Sequence, residues 1–177
     1  TSQWTATAAG AVVLAKNGDG PYITHVTPGR IQDKGIKDAN NMGAAMAWAA
    51  YDTISRHFQD TNRSSSFYDL IVTGDLGKLG MEIVIDLFAA DGIELRGNYS
   101  DCGVMLFDLE GQDVHCGASG CGCAASVLTG YLLNGMRAGK WRNLLFCATG
   151  ALHSPTSLGQ GESIPGICHA VAISTGK

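Results

Sequence analysis

Hydrophobic and polar positions at the start of the chain follow the patterns of two β-strands. The segment from Thr5 to Lys16 is small and apolar with a β-branched centre, and the segment from Tyr22 to Ile31 alternates between apolar and polar residues. An Asn-Gly-Asp-Gly sequence at 17–20 separates them and is typical of a hairpin turn. The pattern therefore predicts two adjacent antiparallel strands.

The next segment has helical periodicity. Between Met42 and Phe58, small and apolar residues recur on one face, and Asn40 or Asn41 is available as the N-terminal cap. We therefore predict a helix over 42–58.

Strands and helices alternate along the rest of the chain. Asp69 to Thr73 is a short continuous apolar run, which is typical of a strand buried on both faces. We interpret 93–100 as a loop and predict a further strand at Val104 to Phe107. The other predicted elements are helices at Leu79 to Ala90 and Ala124 to Ala138, and strands at Trp141 to Gly150 and Ile167 to Thr175. This order predicts one α/β domain over 1–177, with a mixed sheet and helices packed on it.

Composition and charge narrow the function classes. The net charge is −4, and the 12 Lys and Arg residues form no run, so the sequence indicates no nucleic-acid interface. We find no signal peptide and no apolar stretch of about 18 residues, so we expect a soluble protein without a transmembrane segment. The six cysteines are expected to be reduced thiols.

Because the chain opens inside a predicted strand at Trp4, we expect it to continue a preceding segment.

One short stretch, HCGASGCGCAAS at 115–126, carries most of the candidate chemistry. Zinc is disfavoured, because Cys121 and Cys123 are one residue apart and His115 and Cys116 are adjacent, so four donors do not converge. The stretch is either a small-residue turn that opens the following helix or the floor of a small anion pocket, where free N–H groups and the helix dipole attract carboxylates. The same dipole makes Cys121 or Cys123 a candidate nucleophile.

Polar residues after two predicted strands form the other candidates. Asp75 follows the apolar run, and we weigh a role as cap of the next helix against a role in ligand binding. Ser154 and Thr156 follow another strand end, where they either face the same cleft or belong to an ordinary turn that contains Ser and Pro. We interpret Asp101 as part of a turn, and His57 carries no functional signal.

Five segments carry a resemblance to a known family: DKGIKDANNMGAAMA, YDLIVTGDLG, GASGCGCAAS, LLFCATGALHSPTS and GESIPGICHAVAIS. In this order they resemble the stage V sporulation AD family of spore-forming bacteria, a branch of the thiolase-like superfamily, over essentially the whole chain. The resemblance implies that the chain is the C-terminal half of a thiolase-like fold. That half begins with the last hairpin of a missing N-terminal half.

The resemblance also bears on catalysis. Condensing enzymes of the superfamily use a cysteine nucleophile from the first half, a His just after the strand matched here by DLIVT, and an Asn or His at the turn matched by SGCGCAAS. These positions fall near Gly74 and Cys121, neither of which supplies a base or a strong donor. We therefore expect no enzyme activity, with a thiolase-like acyl-condensing or acyl-transferring enzyme as the alternative.

The ligand and partners follow from the resemblance alone. It implies a subunit that binds dipicolinic acid, with calcium as a candidate companion ion. The subunit would lie at the spore inner membrane with the membrane subunits of a transport complex that takes up dipicolinate in sporulation and releases it on germination. A scaffold with a vestigial pocket is the third hypothesis. The expected ligand residues are Asp75, Ser119, Gly120, Cys121, Cys123, Ser154 and Thr156.

Overall fold

A five-stranded mixed sheet forms the centre of the structure, a computed structural model that describes residues 1–95 and 97–176. The strands are β1 (Trp4–Thr5), β2 (Tyr22–Thr27), β3 (Leu70–Thr73), β4 (Tyr99–Asp101), β5 (Ala118–Ser119), β6 (Asn143–Ala151) and β7 (Gly166–Ser174). The sheet order is β2-β7-β6-β3-β4, with β2, β7 and β6 antiparallel and β6, β3 and β4 parallel. Outside this sheet, β1 and β5 form a short parallel pair. The mixed sheet predicted from the sequence is confirmed.

Helices cover both faces of this sheet. They are α1 (Met42–Thr61), α2 (Gly77–Ala90), α3 (Cys102–Leu106), α4 (Cys121–Val127), α5 (Leu133–Arg137) and α6 (Pro155–Gly159), with a 3-10 turn at Ser65–Phe67. A π-helical turn, Leu128–Leu132, joins α4 and α5 into one continuous helix over 121–137. The helices predicted over 42–58, 79–90 and 124–138 are confirmed within a few residues of each end.

The buried strand β3 shows how the layers are held together. Because side chains alternate along a strand, Ile71 packs with α1 and α2 on one face, whereas Leu70 and Val72 pack with the 121–137 helix on the other. All four residues of β3 are buried. The continuous apolar run in the sequence therefore corresponds to a strand covered on both faces.

The predicted N-terminal hairpin is wrong. Of its first strand, predicted over Thr5 to Lys16, only Thr5 belongs to an observed strand, and that strand, β1, pairs with β5. The second strand, β2, pairs with β7. The intervening segment instead approaches the 121–137 helix, where a Cβ on Gly10 would lie 2.4 Å from the carbonyl oxygen of Ala125. Period-two alternation indicates a strand but not its partner, and here the partner of β2 is about 150 residues away in the chain.

The strand predicted at 104–107 is also wrong, because this segment belongs to α3 and the residues just after it. The observed strand, β4, lies earlier in the chain. It overlaps the last two residues of the loop predicted over 93–100 and ends one residue after it. The boundary is set by Asp101, whose side chain accepts a hydrogen bond from the N–H of Gly103 and so caps α3. The pattern of apolar residues does not show where β4 ends and α3 begins, because a polar residue, Asp101, sets that boundary.

Two glycines allow α1 and α2 to cross closely. A Cβ on Gly43 would lie 2.3 Å from the carbonyl oxygen of Leu76, and a Cβ on Gly80 would lie 2.8 Å from the Cα of Gly43. Backbone atoms cannot move aside as a flexible side chain does, so this crossing requires hydrogen at both positions.

We predict that Gly43→Ala lowers the free energy of unfolding by about 2 kcal/mol, because the added methyl group separates α1 from α2. Gly130→Ala is the matched control, since nothing lies within 4 Å of its Cβ position. There, alanine in place of glycine should be neutral or should stabilise by about 1 kcal/mol. Urea unfolding followed by circular dichroism measures both variants, and equal effects would contradict the close crossing.

A buried histidine ties α1 to the sheet. His57 is fully buried; its Nδ1 lies 2.8 Å from the hydroxyl of Thr27, and its Nε2 lies 2.5 Å from the hydroxyl of Tyr68. Burial, with a smaller contribution from Arg63, lowers the pKa of His57 to about 4. The imidazole is therefore neutral at pH 7 and links two hydroxyl groups.

The pH dependence of stability follows from this lowered pKa. The unfolded state takes up the His57 proton near pH 6.5 and the folded state only near pH 4, so the contribution of His57 is present above pH 6.5 and is lost as the pH falls toward 4. We predict that the stability advantage of the wild type over His57→Gln shrinks by up to about 3 kcal/mol across this interval. Parallel urea titrations at pH 7 and pH 4 measure the difference; a constant difference would show that His57 is not buried as the neutral form.

Candidate functional site

Asp75 and the turn at 119–123 lie together, as the sequence analysis predicted. The N–H of Gly120 donates to Asp75 Oδ2 at 2.8 Å, and the hydroxyl of Ser119 lies 3.5 Å from the same oxygen. The other carboxylate oxygen accepts a 2.8 Å hydrogen bond from the hydroxyl of Thr149, which in turn accepts from the N–H of Asp75. Asp75 therefore joins the ends of β3 and β6 to the turn.

The backbone carbonyl of Asp75 is held in place as well. The side-chain amide of Gln3 donates both to the carbonyl oxygen of Asp75, at 2.9 Å, and to that of Ala118, at 2.7 Å. The turn is thus fixed to the β3–α2 loop through two separate groups of hydrogen bonds.

Small residues are required in the turn itself. Gly120 has a φ of +96°, which side chains other than glycine rarely adopt. A Cβ on Gly122 would lie 2.3 Å from the carbonyl oxygen of Ala8. The helix begins at Cys121, three residues before the predicted start, so the two cysteines belong to its first turn.

The two cysteines differ in their surroundings. Cys121 is exposed, whereas Cys123 is fully buried with its Sγ 3.8 Å from the carbonyl oxygen of Gly74. Burial raises the pKa of Cys123 to about 12, with smaller contributions from Asp101 and Asp75. Of the two candidate nucleophiles, Cys123 is disfavoured, because burial keeps its thiol protonated at pH 7.

Gly74 lies where the resemblance places a catalytic histidine. A Cβ at this position would lie 2.6 Å from the hydroxyl oxygen of Thr149. The end of β3 is therefore packed too tightly against β6 to accept a side chain here without a shift in the neighbouring residues.

Ser154 and Thr156 lie at the start of α6. The hydroxyl of Ser154 accepts from the N–H of Ser157 and caps this short helix, and Thr156 is exposed. Among the described residues, no hydrogen bond joins either side chain to Asp75 or to the 119–123 turn. Their placement as the rim of a shared pocket stays a prediction.

Asp101 is the residue that sequence reasoning missed. Its buried carboxylate accepts from the hydroxyl of Thr73 at 2.7 Å and, at 2.9 Å each, from the N–H groups of Leu76, Gly77 and Gly103. Burial raises the pKa of Asp101 to about 7, against these donors, which lower it. The sequence offers one signal for this role, an acidic residue directly before a Cys-Gly pair, which by itself indicates only a turn.

Of the two roles considered for Asp75, the one as cap of α2 is therefore wrong. The free N–H groups at the start of α2 point to Asp101, which lies on the neighbouring strand β4. Asp75, although adjacent in sequence to α2, uses its side chain for Gly120 and Thr149 instead. The spacing of residues in the sequence does not show whether a helix is capped by its own preceding loop or by a residue on a neighbouring strand.

A large apolar groove lies apart from this site. It has a volume of about 530 Å³, and none of the predicted ligand residues lines it. Its walls include Val12, Leu14, Ile23, Leu133 and Phe146, with Arg137 among the lining residues. Across the described part of the chain, no group of three or more His, Cys, Asp or Glu residues is arranged to hold a metal ion.

The length and apolarity of the helices bear on membrane crossing. Of those in the described ranges, none combines the length and the apolarity needed to cross a bilayer.

One solved structure shows a weak likeness to this chain. A crystal structure of 3-oxoacyl-[acyl-carrier-protein] synthase III from Aquifex aeolicus VF5 is 13% identical, and the match covers 84% of this chain and 51% of that one. The TM-score is 0.35, which is too low to establish a common fold. The mixed α/β class is confirmed by the strands and helices themselves, and the thiolase-like half stays a prediction.

Sequence comparisons give a definite family. The stage V sporulation protein AD of Bacillus subtilis (strain 168) is 43% identical over 173 residues, which are 98% of this chain and 51% of that protein. The chain thus spans about half the length of the curated relative it matches. The family model of stage V sporulation protein AD matches residues 1–174. The resemblance seen in the five sequence segments is therefore confirmed, and the chain belongs to the stage V sporulation protein AD family.

Proposed function

We propose that this chain is a non-catalytic, dipicolinic acid-binding part of a spore membrane transport complex. In that role it serves dipicolinate uptake during sporulation and release on germination, in contact with the membrane subunits of the complex. Its location would be peripheral, at the spore inner membrane. The observation that carries the proposal is the 119–123 turn, in which an exposed Cys121 opens a helix beside a buried Asp75.

The chemistry of the turn supports a flat anionic ligand. Dipicolinic acid carries two carboxylates on a pyridine ring, so it requires N–H donors and a slot lined by small residues. Gly120, Cys121 and Gly122 supply the small residues, and the 121–137 helix begins here with its first N–H groups. Family membership favours this ligand over other dicarboxylates.

The negative charge of Asp75 limits how the ligand can approach. Both carboxylate oxygens already accept hydrogen bonds, from Gly120 on one side and Thr149 on the other. Asp75 therefore acts as support for the turn in this proposal, and calcium is a candidate companion ion because it would offset repulsion between Asp75 and the dianion.

The site residues also support the absence of catalysis. The position matched to a catalytic histidine is Gly74, which is closely packed against Thr149, and the buried thiol of Cys123 stays protonated. The carboxylates nearest the turn, Asp75 and Asp101, accept hydrogen bonds from Gly120 and Thr149 and from Thr73, Leu76, Gly77 and Gly103, which supports a structural role over one as general base.

The first test is a calorimetric titration of dipicolinate into the chain, with and without calcium. We expect saturable binding and no comparable binding of 1,3-benzenedicarboxylate, which keeps both carboxylates and lacks the ring nitrogen. Cys121→Leu should weaken binding at least tenfold by filling the slot, while Cys116→Leu is the matched control outside the turn. Absence of binding here, together with binding by the Bacillus subtilis relative, would place the ligand site in the other half of the longer protein.

A second test addresses the enzyme alternative. We expect no release of CoA from acyl-CoA substrates by the chain or by the Bacillus subtilis relative, measured with a thiol reagent under multiple-turnover conditions. Robust turnover that Cys121→Ala abolishes would replace the binding proposal with acyl transfer.

A further inference from the structure

We propose that Asp101 is a positioning residue for the 119–123 turn, and that the turn changes its geometry when Asp101 gains or loses a proton. This inference deepens the proposed function, and its consequence for ligand binding rests on that function. The contacts that carry it are independent of any ligand.

Asp101 binds the chain on both sides of Asp75. The hydroxyl of Thr73 precedes Asp75 by two residues, and the N–H groups of Leu76 and Gly77 follow it directly; all three donate to the Asp101 carboxylate. The loop that carries Asp75 is therefore clamped at both ends by one buried group. Loss of a carboxylate lone pair to a proton removes an acceptor from one of these donors.

Two routes lead from this clamp to the turn. The first passes through Asp75, whose side chain accepts from the N–H of Gly120. The second passes through α3, because Asp101 accepts from the N–H of Gly103, and a Cβ on Gly103 would lie 2.4 Å from the carbonyl oxygen of Ala118. Ala118 immediately precedes the turn, so movement at either contact reaches Ser119 and Gly120.

Few neighbouring groups compete for a proton with Asp101. The groups that face it are Asp75 from the β3–α2 loop, Tyr99 from its own strand β4, Cys102 from α3 and Cys123 from α4. Burial raises the pKa of Tyr99 well above 10, that of Cys123 to about 12, and that of Cys102 above its usual range. These three stay neutral around pH 7, so the local charge depends on the two carboxyl groups.

The raised pKa of Asp101, about 7, places its proton exchange in a physiologically accessible range. An anion bound at the turn adds negative charge beside Asp75 and Asp101, so it favours the protonated form of Asp101. By linkage, protonation of Asp101 then favours binding of the anion, and affinity for dipicolinate should increase as the pH falls through 7.

The direct experiment is a pH titration of backbone amide shifts by ¹⁵N NMR between pH 5 and 9, without ligand. In the wild type we expect Leu76, Gly77 and Gly103 to shift with a midpoint near 7, and Gly120 to shift with the same midpoint. In Asp101→Asn all four steps should disappear. This comparison decides the assignment, because histidines titrate in the same range in both proteins.

A second variant keeps the carboxylate and guards against misfolding of the first. Thr73→Val is nearly isosteric and removes one donor that lowers the pKa of Asp101. The common midpoint of Gly77 and Gly120 should therefore move to higher pH by about 0.5 to 1 unit. The proposal is overturned if Gly77 titrates while Gly120 does not, or if neither shows a step that depends on Asp101 or Thr73.

Binding measurements with dipicolinate distinguish a failure of this inference from a failure of the proposed function. Wild-type affinity for dipicolinate should be about 3- to 10-fold greater at pH 6 than at pH 8, whereas Asp101→Asn, neutral at both, should show no such difference. If dipicolinate fails to bind while the amide of Gly120 titrates as described, the proposed function is wrong and the coupling between Asp101 and the turn stands.

Discussion

The structure at the carboxyl end of β3 depends on the hydrogen bonds that two neighbouring carboxylates, Asp75 and Asp101, accept. Asp75 and Asp101 are both buried, and burial of an unpaired carboxylate is strongly unfavourable. Each is compensated by short hydrogen bonds, Asp75 from Gly120 and Thr149, and Asp101 from one hydroxyl and three N–H groups. Because these donors come from five separate segments, the two carboxylates fix the positions of β3, α2, α3, β6 and the turn relative to one another.

This pairing explains why the turn accepts so little variation in shape. Gly120 must adopt a positive φ to aim its N–H at Asp75, and Gly122 must lack a side chain to pass the backbone at Ala8. The free side chain in the first helical turn is then Cys121, which points into accessible space. The turn therefore presents one exposed thiol on a rigid support.

Much of the fold could be predicted because its main signals are local. The periodicity of α1, the continuous apolar run of β3 and the final strands β6 and β7 all reflect burial on particular faces, which the order of residues records directly. The hairpin and the strand at 104–107 failed for the opposite reason. The partner of β2 and the cap supplied by Asp101 are long-range or polar features, and neither changes the local hydrophobic pattern. The candidate site shows the same division. The grouping of Asp75 with Ser119 and Gly120 followed from the family resemblance, whereas the roles of the two aspartates depend on which donors face each carboxylate, and the order of residues does not record this.

The unequal exposure of the cysteines has a consequence for the chemical durability of the protein. Four of the six thiols are buried, Cys116 is partly covered, and Cys121 is exposed. Oxidants in solution reach an exposed thiol first, and a sulfinic or sulfonic group there cannot be reduced by ordinary thiol exchange. Oxidative damage would therefore accumulate at the opening of the turn while the core kept its packing, so that an aged preparation could remain fully folded and yet carry a permanent negative charge at its most sensitive position.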